Sequence, residues 1–191
     1  MRRLGDIYGY GGDAANEIEV DFDKSAEWYL KAAKKGDAKS QYEYGYYLYK
    51  GLGMDRCFPE AFDWFSLSAE QGNRWAMFYL GEMYRNGYGV QKDSRKACKW
   101  YRLAAKAGHG YARMWLGRMY LEGRGVKADR EKAERWMEPL LTWYESAVHM
   151  GYMYEDGWPM IESMEDAIWW YRYAADQGDA NGICNLGNLY C

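Results

Sequence analysis

Two histidines, His109 and His149, are the natural acid–base groups of this chain near neutral pH. Neither is framed for catalysis. His109 falls in a turn after one helical pattern, and His149 stands two residues before a glycine that recurs through the chain, so the two occupy non-equivalent positions. No metal-ligand spacing and no nucleophile motif surrounds either, so no catalytic residue, metal or cofactor is expected. The carboxylate pairs Glu155/Asp156 and Glu165/Asp166 adjoin an expected helix end and helix start, where solvation and capping account for them. Gly-x-Gly pairs at 51/53, 87/89 and 123/125 imitate a phosphate-binding loop, but no strand precedes them and no lysine stands where a P-loop requires it. They read instead as helix stops.

Cys57, Cys98, Cys184 and Cys191 complete the reactive inventory. Cys184 and Cys191 lie two helical turns apart, about 10 Å by helix rise, too far to bridge within one helix. Reduced structural thiols and a cytoplasmic location are the default; a secreted or envelope setting stays open if the sequence is part of a longer chain. The opening Met1-Arg2-Arg3-Leu4-Gly5-Asp6 lacks the apolar core of a signal peptide, and no apolar run approaches the ~20 residues that span a bilayer. A net charge of −3 and a pI near 5.5 give no reason to expect nucleic acid or an anionic membrane as partner. The basic scatter Arg113, Arg118, Arg124, Lys127, Arg130 is interleaved with acids and reads as a solvated face.

The frame that must position all of these is a repeat. Ala76-Met-Phe-Tyr-Leu80-Gly81-Glu-Met-Tyr84-Arg-Asn-Gly87-Tyr-Gly89-Val90 returns 36 residues later as Ala112-Arg-Met-Trp-Leu116-Gly117-Arg-Met-Tyr120-Leu-Glu-Gly123-Arg-Gly125-Val126. Aligning the rest of the chain on this pair sets glycines at 5, 45, 81, 117, 151 and 187, with spacings of 40, 36, 36, 34 and 36. Small, apolar and aromatic residues around each glycine recur at i, i+4, i+5, i+7 and i+8, one face of a helix A. A glycine inside a helix costs roughly 1 kcal/mol against alanine, so its recurrence implies close approach of something bulky. Trp64, Trp100, Trp136 and Trp170, 19 residues on, are the expected partners. Helix A stops at Gly51, Gly87, Gly123 and Gly157; helix B starts near Pro59, Asp93, Asp129 and Met164 and closes at Gly36, Gly72, Gly108 and Gly178. Two antiparallel helices per ~36 residues, joined by short turns, make an all-α solenoid. Its units are 1–37, 38–73, 74–109, 110–142 and 143–179, with a partial unit at 180–191.

Three departures stand out. The first unit carries four extra residues around Gly12 to Asp21, whose acids lack calcium-loop order and read as a solvated loop. Pro139 interrupts the fourth helix B and predicts a kink or altered twist between units four and five. The last helix A, Asn181 to Cys191, has no helix B to cover Ile183, Leu186, Leu189 and Tyr190, so a continuing array or another molecule is expected there.

The block Ala-x-x-x-Leu-Gly-x-Met-Tyr-x-x-Gly-x-Gly-Val, followed by Lys-Ala-x-x-Trp-Tyr-x-x-Ala-Ala-x-x-Gly, resembles the Sel-1-like repeat family, relatives of tetratricopeptide repeats, over nearly the whole chain. The resemblance implies a right-handed α-α superhelix serving as an adaptor or scaffold, whose concave face, lined mainly by helix A, binds proteins or peptides. Some cysteine-rich secreted members carry a disulfide within each repeat, a pairing this chain lacks.

Positions −3, +1 and +4 from the glycine lie opposite the recurring face. Unit by unit they read Tyr42, Tyr46, Tyr49; Phe78, Glu82, Arg85; Met114, Arg118, Leu121; Val148, Tyr152, Glu155; and Cys184, Asn188, Cys191. Tyrosine, phenylalanine, methionine and arginine are types enriched at protein interfaces. The expectation is a non-enzymatic scaffold docking a protein or peptide along this stripe, with Tyr42, Tyr46, Tyr49, Phe78, Glu82, Arg85, Met114, Arg118, Tyr152 and Glu155 in contact. The alternative is a structural segment assembling end to end with an idle groove; the third reading is a weak hydrolase or small-molecule binder centred on a histidine.

Overall fold

A computed structural model describes residues 1–10, 19–137, 147–156 and 162–189. The expected solvated loop around Gly12, the kink at Pro139, the stop at Gly157 and the termini of Tyr190 and Cys191 lie outside the described residues or on their border. Among the described residues, five antiparallel helix pairs and one further helix follow one another. The A helices are α1 (Arg2–Tyr10), α3 (Ala38–Lys50), α5 (Arg74–Asn86), α7 (Gly110–Glu122), α9 (Ala147–Glu155) and α11 (Ala180–Leu189). The B helices are α2 (Phe22–Ala33), α4 (Phe58–Glu70), α6 (Ser94–Lys106), α8 (Arg130–Met137) and α10 (Met164–Asp176). Each A helix from α1 to α9 packs on its following B helix, as an α-solenoid requires.

Local chemistry sets the boundaries. The Asp93 carboxylate accepts from the backbone N–H of Arg95 (2.9 Å) and Lys96 (3.0 Å), capping α6. α3, α5 and α7 end at Gly51, Gly87 and Gly123, all left-handed, with φ of 76°, 83° and 68°. A second bond then closes the A–B turn: the N–H of Asp21, Cys57, Asp93, Asp129 and Ser163 donates to the carbonyl of Tyr8, Leu48, Tyr84, Tyr120 and Tyr154, at 2.8–3.0 Å. The longer first loop therefore returns to the same closing bond as the others. The second glycine of each Gly-x-Gly pair has a different task. Gly89 has φ +68°, and a Cβ there would stand 2.6 Å from the Phe58 backbone, so this turn beds on the N-terminus of the preceding B helix.

The stacking glycines do meet bulky partners, but one residue beyond the tryptophans. A Cβ on Gly5 or Gly81 would come within 2.7 Å or 2.6 Å of the Tyr29 or Tyr101 ring; on Gly117 it would sit 2.6 Å from Met137 Cγ. Phe65 and Tyr171 fill the same role at Gly45 and Gly151. This corrects the expected tryptophan contact, and the reason is geometric. Successive helical residues point about 100° apart, and the residue after the tryptophan is the one aimed at helix A. Trp64, Trp100 and Trp136 lie half-buried beside the joint.

Candidate protein-binding surface

The predicted stripe runs along α3, α5, α7 and α9, but most of it is interior. Tyr49 and Phe78 are fully buried, and Glu82, Arg118 and Met114 are at most 3% exposed. Tyr46 is also buried; Tyr42, Arg85, Tyr152 and Glu155 are half-buried. The expectation of an open face is thus corrected for Tyr49, Phe78, Glu82, Met114 and Arg118. A helical wheel separates the recurring face from the opposite side, and in this stack large side chains of the helix's own partner and of other units both reach round to that side. Tyr49 packs on Tyr79 (5.2 Å) and Phe58 (5.5 Å), and Phe78 stacks on His109 (4.5 Å).

In the middle of the array the stripe becomes a buried polar cluster. Arg85 of α5 donates to Glu82 (3.0 Å) and to Asp166 of α10 (2.8 Å), and its guanidinium lies 3.9 Å from the Trp115 ring centroid. Arg118 of α7 takes the other Asp166 oxygen at 2.7 Å and also holds Glu122 at 3.0 Å. Glu82 accepts further hydrogen bonds from the hydroxyls of Tyr101 and, at 3.1 Å, Tyr154 of α9. Trp115 Nε1 donates to the same Tyr154 hydroxyl at 2.7 Å. Units of a uniform solenoid touch only their neighbours, yet here α9 and α10 of unit five bond to α5 of unit three. Burial alone would raise the Asp166 carboxyl, but Arg85 and Arg118 hold it below the usual carboxylate range. Asp166 is therefore more than a solvated capping acid, and Arg118 is no part of a solvated basic face. Tyr152 donates to Asn185 Oδ1 (3.4 Å), and Glu155 accepts from the Tyr171 hydroxyl.

Accessible aromatic surface gathers instead at the first units. A cleft of about 710 Å³ opens between Tyr10 of α1, Lys39, Tyr42, Glu43 and Tyr46 of α3, and Asn73, Arg74, Trp75 and Tyr79 at α5. Tyr10 and Trp75 are 73% and 37% exposed. Tyr42 stacks on Tyr46 at 6.2 Å, and Tyr46 lies 5.6 Å from Tyr79. Among the predicted contact residues, Tyr42 and Tyr46 are the two brought into this cleft. Glu43 is buried among these residues, and burial pushes its carboxyl up to about 7.

The Sel1 repeat family matches residues 1–37, 38–73, 76–109, 110–139 and 143–179. The chain belongs to the Sel1 repeat family. This Sel1 array is similar to c5321, a protective antigen present in uropathogenic Escherichia coli strains, with 31% identity and a TM-score of 0.71 over 99% of this chain. It spans only 40% of that antigen. A Sel1 repeat protein from Oxalobacter formigenes is 30% identical with a TM-score of 0.71; the match covers 99% of this chain and 76% of the other. A third structure, from Klebsiella pneumoniae, shares the fold at 21% identity and TM-score 0.66, over 100% of this chain and 91% of that one. Among curated proteins, none matches this chain. Members of the family commonly act through protein–protein contacts.

The histidines of the Sel1 array have structural surroundings. His109 caps α7, its Nδ1 accepting from the Ala112 N–H at 3.3 Å, in the position held by Asp37 and Asn73 in earlier units. It lies between Phe78 (4.5 Å) and Trp75 (4.3 Å) and is 2% exposed. Burial, assisted by Arg74, pushes its pKa down to about 3. His149 is half-buried against Tyr111, 6.1 Å away, with its pKa lowered by burial. Among the described residues no group of three or more His, Cys, Asp and Glu is placed to hold a metal ion.

The His109 cap carries a pH prediction. A folded pKa below the unfolded value of ~6.5 makes its contribution complete above that value and progressively lost as pH falls toward the folded value. Urea unfolding at stepped pH should show wild type losing stability relative to His109→Asn by about 1 kcal/mol per pH unit below 6. Asparagine is itself a good cap and does not titrate. Parallel pH profiles would refute the assignment.

Two parts of these sites escaped sequence reading although each left a trace. At two residues before the stacking glycine the chain reads Glu43, Tyr79, Trp115, His149 and Asn185, so one carboxylate stands in a ring-rich series. At the third residue of helix B it reads Lys24, Glu60, Lys96, Lys132 and Asp166, so an acid replaces the more frequent lysine.

Proposed function

We propose that this Sel1 array is a non-enzymatic scaffold that takes a loop or peptide of a partner protein in the cleft between α1, α3 and α5. The observation that carries this reading is the cleft itself, where Tyr10 and Trp75 stay exposed beside Tyr42 and Tyr46 while the stripe farther along is filled. Tyrosine and tryptophan offer large contact areas at small conformational cost, the property of interface anchors. A reducing compartment such as the cytoplasm is the setting proposed with this reading, resting on the non-equivalent repeat positions of the four cysteines in the sequence.

A second reading has one observation in its favour. Ile183 of α11 is 57% exposed, and Leu186 and Leu189 beside it are half-buried, a face suited to end-to-end assembly. A paired capture experiment with light scattering separates the two. Wild type, Tyr10→Ala/Trp75→Ala and Ile183→Asp would be matched for helicity by circular dichroism. A partner captured by wild type and Ile183→Asp but lost from the cleft variant is the expected result. Loss confined to Ile183→Asp, with concentration-dependent mass of wild type that this change abolishes, would favour assembly and reject the cleft.

A further inference from the structure

We infer that the cleft seats a basic side chain, a lysine or arginine of the partner polypeptide, with Glu43 as its counter-charge. This rests on the cleft being a peptide site. Glu43 is 6% exposed and lines the cleft, and among the described residues no hydrogen bond or ion pair reaches it. The other deeply buried acids differ. Glu82 receives Arg85 and two tyrosine hydroxyls, and Asp166 receives two arginines. The Glu43 carboxylate oxygens are not sealed inside the fold, so a donor that enters the cleft can reach them, and a largely desolvated carboxylate gains from one. What surrounds it is aromatic, namely Tyr10, Tyr42, Tyr46, Trp75 and Tyr79, and ring faces attract cations through their quadrupoles.

The chain builds the same recognition for itself one unit along. There the Arg85 guanidinium lies 3.9 Å from the Trp115 centroid and is held by Glu82 at 3.0 Å. The cleft has the carboxylate and the rings but not the cation. Lys39 and Arg74 do not fill that place: both side chains belong to exposed residues, and Arg74 Nη1 reaches the Gly108 carbonyl at 3.4 Å.

Charge coupling gives a readout of its own. The groups facing Glu43 are Lys39, Tyr42, Tyr46 and Tyr47 on its own helix, Asp6 and Tyr10 from α1 and Tyr29 from α2, with Arg74 and Tyr79 of α5 lining the same cleft. Burial leaves part of the Glu43 population protonated near pH 7. An arriving cation favours the carboxylate, so binding should release that proton to solvent.

The test uses the whole chain and four capped pentapeptides, with Lys, Arg, norleucine or Glu at the centre and glycine and alanine around it. Titration at pH 7, followed by nuclear magnetic resonance, should show the Lys and Arg peptides shifting the Trp75 indole and α3 amides, and the norleucine and Glu peptides not. Glu43→Gln keeps the shape and should weaken Lys-peptide binding about tenfold or more, the scale of a lost charge-assisted hydrogen bond, without lowering the melting temperature. Calorimetry in two buffers of different ionisation heat should show proton release with wild type and none with Glu43→Gln. Equal binding by Glu43→Gln, equal binding of norleucine, or no shift with any peptide would overturn the inference. Preference for the Glu peptide, abolished by Lys39→Ala/Arg74→Ala, would overturn it in favour of an acidic segment. A captured partner lost from Tyr10→Ala/Trp75→Ala but retained by Glu43→Gln would leave the scaffold reading intact and remove this one alone.

Discussion

Gly81→Leu is expected to abolish cooperative unfolding of this array, whereas Gly187→Ala, at the equivalent position of α11, should stabilise it slightly. A Cβ at Gly81 lies 2.6 Å from Cδ1 and Cε1 of Tyr101. That ring has nowhere to go: Tyr101 is fully buried, stacks on Trp115 at 6.1 Å and donates its hydroxyl to Glu82. Alanine at Gly81 gains about 1 kcal/mol of helix propensity and loses roughly 1–3 kcal/mol to overpacking, so it should be net destabilising. Leucine adds a branched chain into the same contact, at a cost on the scale of the roughly 5–15 kcal/mol that holds a domain folded. At Gly187 nothing lies within 4 Å of the added Cβ, so propensity acts alone. Urea unfolding followed by circular dichroism measures all three, and equal shifts for Gly81→Ala and Gly187→Ala would remove the close-packing account.

The repeat made the helices, their stops and the stacking glycines legible, because each unit must rebuild the same joint from the same residue types. The wrong partner for the glycine came from the same source. The tryptophans recur unchanged at Trp64, Trp100, Trp136 and Trp170, whereas the residues that fill the joint vary as Phe65, Tyr101, Met137 and Tyr171. Recurrence draws attention to identity, while packing depends on direction, and a single residue turns direction by about 100°. The stripe failed for a longer-range reason. A wheel drawn on α5 places Glu82 and Arg85 away from α6, but it holds no information about Tyr154 and Asp166, which arrive from 72 and 81 residues further along the chain. Curvature between units decides that meeting, and no local pattern encodes it. Tyr42 and Tyr46 reach a cleft because α3 lies near the start of the array, where among the described residues no helix beyond α5 lines that cleft. Glu43 beside them stands at −2 from the glycine, a position that belongs neither to the recurring face nor to the opposite stripe, so neither pattern points to it.

Asp166→Ala should cost about 3–5 kcal/mol, the range for removing one member of a buried ionic group. Arg85 keeps Glu82 and Arg118 keeps Glu122, which sets the expectation at the lower end. The loss should not be spread evenly. Asp166 joins α10 to α5 and α7, so hydrogen exchange should quicken in α9 and α10 while α3 to α6 keep their protection. Acid provides a second signature. A carboxyl held below its usual range by Arg85 and Arg118 contributes stability above its unfolded pKa, which is lost as pH falls through the folded one. The variant should therefore show a flatter acid limb than wild type. Unchanged stability and exchange would mean that unit five is held by apolar and neighbouring contacts alone, such as Trp115 against Trp170 at 5.6 Å. The expected outcome instead makes Asp166 the residue that closes the middle of the concave stripe. Arg85, Arg118 and Trp115, satisfied from within the chain, are then withdrawn from partners, and the proposed recognition falls to the cleft near α1 and α3, where among the described residues no arginine is bonded to Glu43.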